Sequence, residues 1–126
     1  MNALFLVMAG GAVGAALRFQ LGRLSLHLLG PAYPWGTLAA NLIGGLLMGA
    51  LAGWLARGLS ANGEQLRLLL GVGVLGGFTT FSAFSLETML MIERGQIGMA
   101  MGYVLMSVIG ALAALAIGTI AVRSVA

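Results

Sequence analysis

The sequence predicts an all-α membrane protein of four transmembrane helices, the third broken near its middle. Three observations carry that reading. Of the 126 residues, 60% are hydrophobic and 7% charged, with a mean hydropathy of +1.07, whereas a water-soluble domain of this size carries roughly 25% charged residues to cover its surface. Three short polar breaks divide the chain into four apolar runs, each near the ~20 residues that a span requires. Within the third run, four glycines in seven residues (Gly71, Gly73, Gly76, Gly77) lead into the hydroxyl-rich stretch GGFTTFSAFSLET at 76–88.

The spans read as 3–29, 35–56, 66–92 and 98–122. The first run has no charged segment before it and no cleavage site after it, so it reads as a mature span and not as a signal peptide. The break that follows is GPAYP (Gly30 to Pro34), which holds both prolines of the chain in a tight turn. Arg57 to Arg67, with Ser60, Asn62, Gly63 and Glu64, forms the second break, and Glu93-Arg94-Gly95-Gln96 forms the third. Tyr33, Trp35 and Trp54 fall at span ends, where amphipathic rings favour the bilayer interface. No loop is long enough for a soluble domain, so residues 1–126 read as one four-helix transmembrane domain.

Composition excludes several functions. Cysteine is absent, which removes disulfides and thiolate metal sites. The net charge of +3 comes from singly placed arginines with no lysine, so the basic cluster that nucleic acid requires is missing. Paired carboxylates, a nucleophile with a base, and a metal-ligand cluster are likewise not visible, which argues against an enzyme. The arginines also leave orientation almost undecided. Arg57, Arg67 and Arg123 fall on one side of the membrane, and Arg94 with Arg23 on the other. A chain so balanced is expected to insert both ways up, and copies of opposite orientation would then pair. Gly10 and Gly14, Gly45, Gly49 and Gly53, and Gly98 and Gly102 form smooth strips that suit close packing, either within one bundle or between subunits.

Polar residues inside the spans are the candidate functional groups. Asn41 has Thr37 one turn earlier on the same face, and a carboxamide in hydrocarbon must find partners. It serves either as an interhelical bond or as part of a polar path. Tyr103 and Ser107 are one turn apart in the fourth span. Arg18 lies near the middle of the first span and should face a water-filled cavity or a partner. Glycines weaken a helix by about 1 kcal/mol each relative to alanine, and Thr79 and Thr80 add β-branches, so a break is expected at 76–80. Unwound carbonyls at such breaks can hold Na+. Beyond it, Phe81 and Phe84 share a face. A phenyl ring has a positive edge, so ring edges, hydroxyls and an amide present partial positive charge without a full one, suited to a small anion that must also be released.

The runs GVLGGFTTFSAFSLE (73–87), GTLAANLIGGLLMG (36–49) and GGAVGAALRF (10–19) together resemble the CrcB, or Fluc, fluoride channel family, and the likeness extends over all four spans. The resemblance implies passive, selective export of fluoride through a bacterial inner membrane. It also implies an antiparallel homodimer of dual-topology chains with two pores and a structural Na+ at its centre. On this sequence Asn41, Phe81 and Phe84 would line the pore, with Thr37, Thr80, Tyr103 and Ser107 completing the ion pathway. Glu87 and Arg18 would lie near its mouths, and the carbonyls of Gly76 and Thr79 would hold the Na+. Ala83 and Ala111 stand where the family more often has hydroxyls. The rivals are a small multidrug exporter coupled to protons, which needs a carboxylate in the first helix that this chain lacks, and a scaffold subunit, which leaves the aligned Asn, Phe and Ser unexplained.

Overall fold

The computed structural model describes residues 2–58 and 61–125. Ser60, in the expected second break, lies outside the described residues, as do Met1, Leu59 and Ala126. The described residues are entirely helical apart from turns and one interruption, and four segments are long and apolar enough to cross a membrane: Ala3–Leu29, Trp35–Leu55, Gly63–Glu93 and Ile97–Ser124.

Helix α1 (Ala3–Leu29) opens on Asn2, whose side chain accepts a hydrogen bond from the Leu4 amide at 2.8 Å, the usual chemistry of a helix N-cap. It ends where Gly30 takes φ +80°, a conformation that other residues resist. Pro31 and Pro34 then forbid continuation, and α2 (Trp35–Leu55) starts at once. Within the third span, α3 (Gly63–Leu66) passes into a nine-residue π-helix, Arg67–Leu75, then α4 (Gly76–Phe78) and, after an interruption, α5 (Ser82–Glu93). Gly95, at φ +78°, turns the chain into α6 (Ile97–Ser124).

The interruption, at 79–81, overlaps the C-terminal end of the expected 76–80 and falls at the β-branched pair Thr79 and Thr80, not at the glycines that were expected to contribute. Gly76, Gly77 and Phe78 are still helical, and the chain leaves the helix at Thr79, with φ −85° and ψ 160°. The glycines act upstream instead. Their low helical preference permits the wider π winding, and their missing side chains let α1 approach. A Cβ on Gly14 would strike the backbone of Val74, and one on Gly10 would meet the backbone of Leu69 and Gly73.

Two closely packed pairs result: α1 against the π-helix and α4, and α2 against α6. In the second pair Gly45, Gly49 and Gly53 lie on the backbone of Ala111, Leu115 and Thr119, and Gly118 lies on Leu46. Thr119 Oγ1 donates to the Gly49 carbonyl at 3.0 Å across this contact. The strips on α1 and α2 are therefore used within the chain. Only Gly98 and Gly102 of the expected strips meet open space.

That contrast is measurable. Gly14→Val should lower the stability of the detergent-solubilised protein by about 1–3 kcal/mol, the range of an overpacked core, whereas Gly98→Ala should leave its melting temperature nearly unchanged; a thermal melt followed by tryptophan fluorescence compares them.

Candidate functional site

An interrupted span leaves backbone groups without helical partners, and side chains from three spans take them up. Thr79 folds back on its own helix: its amide and its Oγ1 both donate to the Leu75 carbonyl, at 3.0 and 2.9 Å. Arg18, from the middle of α1, reaches the Gly77 carbonyl through Nε at 3.4 Å. Asn41, from α2, makes a two-point contact with Thr80. Its Nδ2 donates to the Thr80 carbonyl at 3.0 Å and its Oδ1 accepts from the Thr80 amide at 2.8 Å. Thr80 Oγ1 in turn accepts from the Ala83 amide at 3.1 Å, starting α5 as an N-cap hydroxyl does. Among the described residues, no hydrogen bond reaches the carbonyls of Gly76 or Thr79.

The interruption forms the floor of a groove of about 540 Å³ that opens onto the outer face of the bundle. Asn41, Gly76, Thr79, Thr80, Phe81, Phe84 and Ser107 all line it, so most of the expected site residues come together. Phe81 is 77% exposed there and Phe84 is buried, with ring centroids 5.6 Å apart. Ser107 is 95% buried, its relative exposure being 5%, and its hydroxyl has no partner among the described residues. A serine in a membrane helix ordinarily bonds back to the carbonyl one turn earlier. Ala111 continues the Ser107 face with a methyl group, and Leu112 and Leu115 close that side of the groove.

Thr37 and Tyr103 are not in this groove. Both donate to Glu87, Thr37 Oγ1 to Oε2 and Tyr103 OH to Oε1, each at 3.0 Å. A carboxylate at membrane depth requires such donors, and these two are the hydroxyls that α2 and α6 bring to it. Thr37 and Glu87 line a second cavity, of about 300 Å³, beneath the GPAYP turn, together with Tyr33, Trp35, Met91 and Arg94. Tyr103, fully buried, sits between the two spaces, with its ring 5.2 Å from Phe84 and 5.6 Å from Tyr33. The aromatic series Phe81, Phe84, Tyr103, Tyr33, Trp35 thus links the groove to the turn. Sequence reasoning missed Tyr33, Arg94 and the Gly77 carbonyl. The signal for the first was an aromatic phenol within a proline-bounded turn; a bare carbonyl leaves no signal. Arg18 lines neither space. Its half-buried guanidinium has the carbonyl partner instead.

These features define a class: a four-span helical membrane protein whose third span is interrupted beside a groove lined by an amide, hydroxyls and two phenyl rings. Residues 5–119 match the family described as "CrcB-like protein, Camphor Resistance (CrcB)". A protein of Novosphingobium aromaticivorans named fluoride-specific ion channel FluC is 56% identical over 128 residues, covering 100% of both chains. Proteins of the same name from Phenylobacterium zucineum and Caulobacter vibrioides are 58% and 51% identical over 125 residues, each covering 99% of this chain and 98% of the relative. The chain belongs to the CrcB family.

If Asn41 holds the interruption in place, its removal should free the Thr80 amide. Asn41→Ala should speed hydrogen–deuterium exchange in a peptide covering 79–84 by about tenfold, the factor for roughly 1.4 kcal/mol of lost protection, with exchange in α6 unchanged.

Proposed function

We infer that the chain is a fluoride-selective channel through which cytoplasmic fluoride leaves a bacterial cell down its electrochemical gradient, with no enzymatic step. The observation that carries this reading is the unpartnered Ser107 hydroxyl beside Phe81, Phe84 and Asn41, in a groove whose lining contains no carboxylate. The relatives' shared name, fluoride-specific ion channel, supplies the ion.

The groove's chemistry suits a small anion. Its donors are neutral: the Ser107 O–H, the second amide hydrogen of Asn41 and the rims of two phenyl rings. The first turn of α5 adds backbone amides at the positive end of a helix dipole. Partial charges of this kind replace part of a hydration shell without holding the ion as a full cation would, the balance that conduction demands. Fluoride enters acid-exposed cells as HF and ionises in the more alkaline cytoplasm. An inside-negative potential then favours anion exit by about 2.3 kcal/mol per 100 mV, so a passive pore suffices. A proton-coupled exporter is not supported. α1 has no carboxylate, and Glu87, the carboxylate deep in a span, is held by two hydroxyls.

We further propose that the working unit is an antiparallel homodimer. The groove is open on the outer face of the bundle, with a largely exposed Phe81 and unbonded carbonyls at Gly76 and Thr79. Lipid tails cannot satisfy such carbonyls. A second copy laid across the interruption would cover them and complete the lining of two pathways. The carbonyls of Gly76 and Thr79 suit a structural Na+ shared between the copies, since oxygen dipoles without donors favour a hard cation. Such an ion would neutralise the carbonyl ends of both interruptions.

Liposomes containing only this protein should release fluoride and retain chloride, without any need for a proton gradient. Fluoride release no faster than from empty vesicles would reject the channel. Phe84→Ile and Ser107→Ala should each slow release by at least about tenfold, the factor for one lost contact of roughly 1.4 kcal/mol, while gel filtration shows an unchanged oligomer.

A further inference from the structure

Arg18 and Arg23 stand on the same helix and have opposite surroundings. Arg18 is half-buried and donates to the Gly77 carbonyl. Arg23, five residues on, is exposed on the outer face of α1, and its one recorded contact is with the Phe19 ring, 5.9 Å from the guanidinium carbon. A ring face favours a cation but does not neutralise it. Among the described residues no carboxylate pairs with Arg23, the one ion pair being Arg67 with Glu64. His27, one turn further, is also exposed and without a carboxylate partner there. Gln20, Arg23 and His27 fall on one helical face, three and four residues apart, and with Leu24 and Leu26 they line an open depression of about 600 Å³.

The depth of this group identifies its counter-ion. The 27 residues of α1 are about 40 Å long, against about 30 Å of hydrocarbon. His27 therefore lies near the boundary, beside the GPAYP turn with its interfacial Tyr33 and Trp35, and Arg23 lies about one turn inside it. The surrounding side chains are exposed and apolar: Phe19, Leu24, Leu26 and Leu28. An uncompensated guanidinium at that level is costly, and it either extends to the interface or draws an anion to itself.

We propose that Gln20, Arg23 and His27 form a binding site for an anionic phospholipid. The phosphate accepts from the Arg23 guanidinium and from a ring N–H of His27. Gln20, deeper still on the same face, lies below the ester carbonyls, and the acyl chains run past it along Leu24 and Leu26. The site shares no lining residue with the groove and one, Leu26, with the cavity beneath the GPAYP turn, and it stands whether or not the chain conducts fluoride.

Native mass spectrometry of the whole protein, titrated in detergent with phosphatidylglycerol, phosphatidylcholine or inorganic phosphate, tests this. Phosphatidylglycerol adducts should form at concentrations about fivefold lower than phosphatidylcholine adducts, the effect of roughly one basic residue at a membrane surface. R23Q/H27Q should abolish that preference while retaining fluoride release in phosphatidylcholine liposomes. Equal binding of the two lipids by the unaltered protein, displacement of phosphatidylglycerol by inorganic phosphate, or a preference that survives the double substitution would overturn the site. So would disulfide cross-linking between copies through Leu24→Cys in phosphatidylcholine membranes, because that face would then be covered by protein. The comparison of lipids on the unaltered chain decides the matter even if the double variant does not fold.

Discussion

A helix that stops inside a bilayer turns its amides and carbonyls toward hydrocarbon, where each unpaired group costs several kcal/mol. The arrangement around Thr79–Phe81 follows from that one requirement. α1 supplies Arg18 for the Gly77 carbonyl, α2 supplies Asn41 for both backbone groups of Thr80, and the hydroxyls of Thr79 and Thr80 serve their own neighbours. For those side chains to reach, the helices must lie close. The glycines on α1 and in the π-helix provide that approach, and those of α2 bring α6, with Ser107 on it, against the same groove. Small residues and polar residues thus belong to one solution: the first let helices touch, and the second satisfy the helix that cannot remain whole.

The spans were legible in the sequence because hydrocarbon thickness constrains them and charge marks their ends. Asn41, Thr80, Phe81, Phe84 and Ser107, which the family resemblance assigns to the ion pathway, all line the groove; helical spacing by itself gave the shared face of Phe81 and Phe84, and it equally paired Asn41 with Thr37 and Ser107 with Tyr103, which line no part of it. Three things were not legible. The interruption came after the glycines and not within them, because a glycine-rich stretch can widen its winding as readily as break it, and local propensity does not choose between the two. Arg18 found a main-chain carbonyl, a partner present in every residue and therefore invisible as a motif. Thr37 and Tyr103 were read with the ion pathway, yet their hydroxyls meet Glu87. Helical periodicity specifies the face a residue occupies, but which of two carboxylate- or ion-seeking neighbours it meets depends on how far helices slide along one another.

Glu87 also clarifies why a carboxylate is compatible with an anion route. A bare carboxylate beside the groove would repel fluoride. Here each oxygen accepts a hydroxyl hydrogen, one from α2 and one from α6, and the group lines the cavity under the GPAYP turn, while the groove itself has no acidic lining. Tyr103 stands between them with its hydroxyl turned to Glu87 and its ring against Phe84. The same side chain therefore restrains the negative group and buttresses one of the rings whose edges suit a halide.

Counting hydrogens shows how little one chain can offer an anion. Each hydroxyl has one to give. Those of Thr79, Ser85 and Thr88 go to carbonyls of their own span, those of Thr37 and Tyr103 go to Glu87, and Thr80 and Ser82 share one contact at 3.2 Å. What remains of the side-chain hydrogens at the groove is the Ser107 hydroxyl, one amide hydrogen of Asn41 and, where Ser82 is the donor of their shared contact, the Thr80 hydroxyl, beside the backbone amides that begin α5. One turn past Ser107 the same face has Ala111, and beyond it Leu115, so the donors end part-way along the groove. Beyond that point the described lining is apolar, with Ala111, Leu112 and Leu115, so a small anion that has shed water there meets no further side-chain donor among the groove's lining residues. In the antiparallel pair proposed above, the exposed ring of Phe81, standing at the open edge of the groove, is where a second copy would add donors to this stretch.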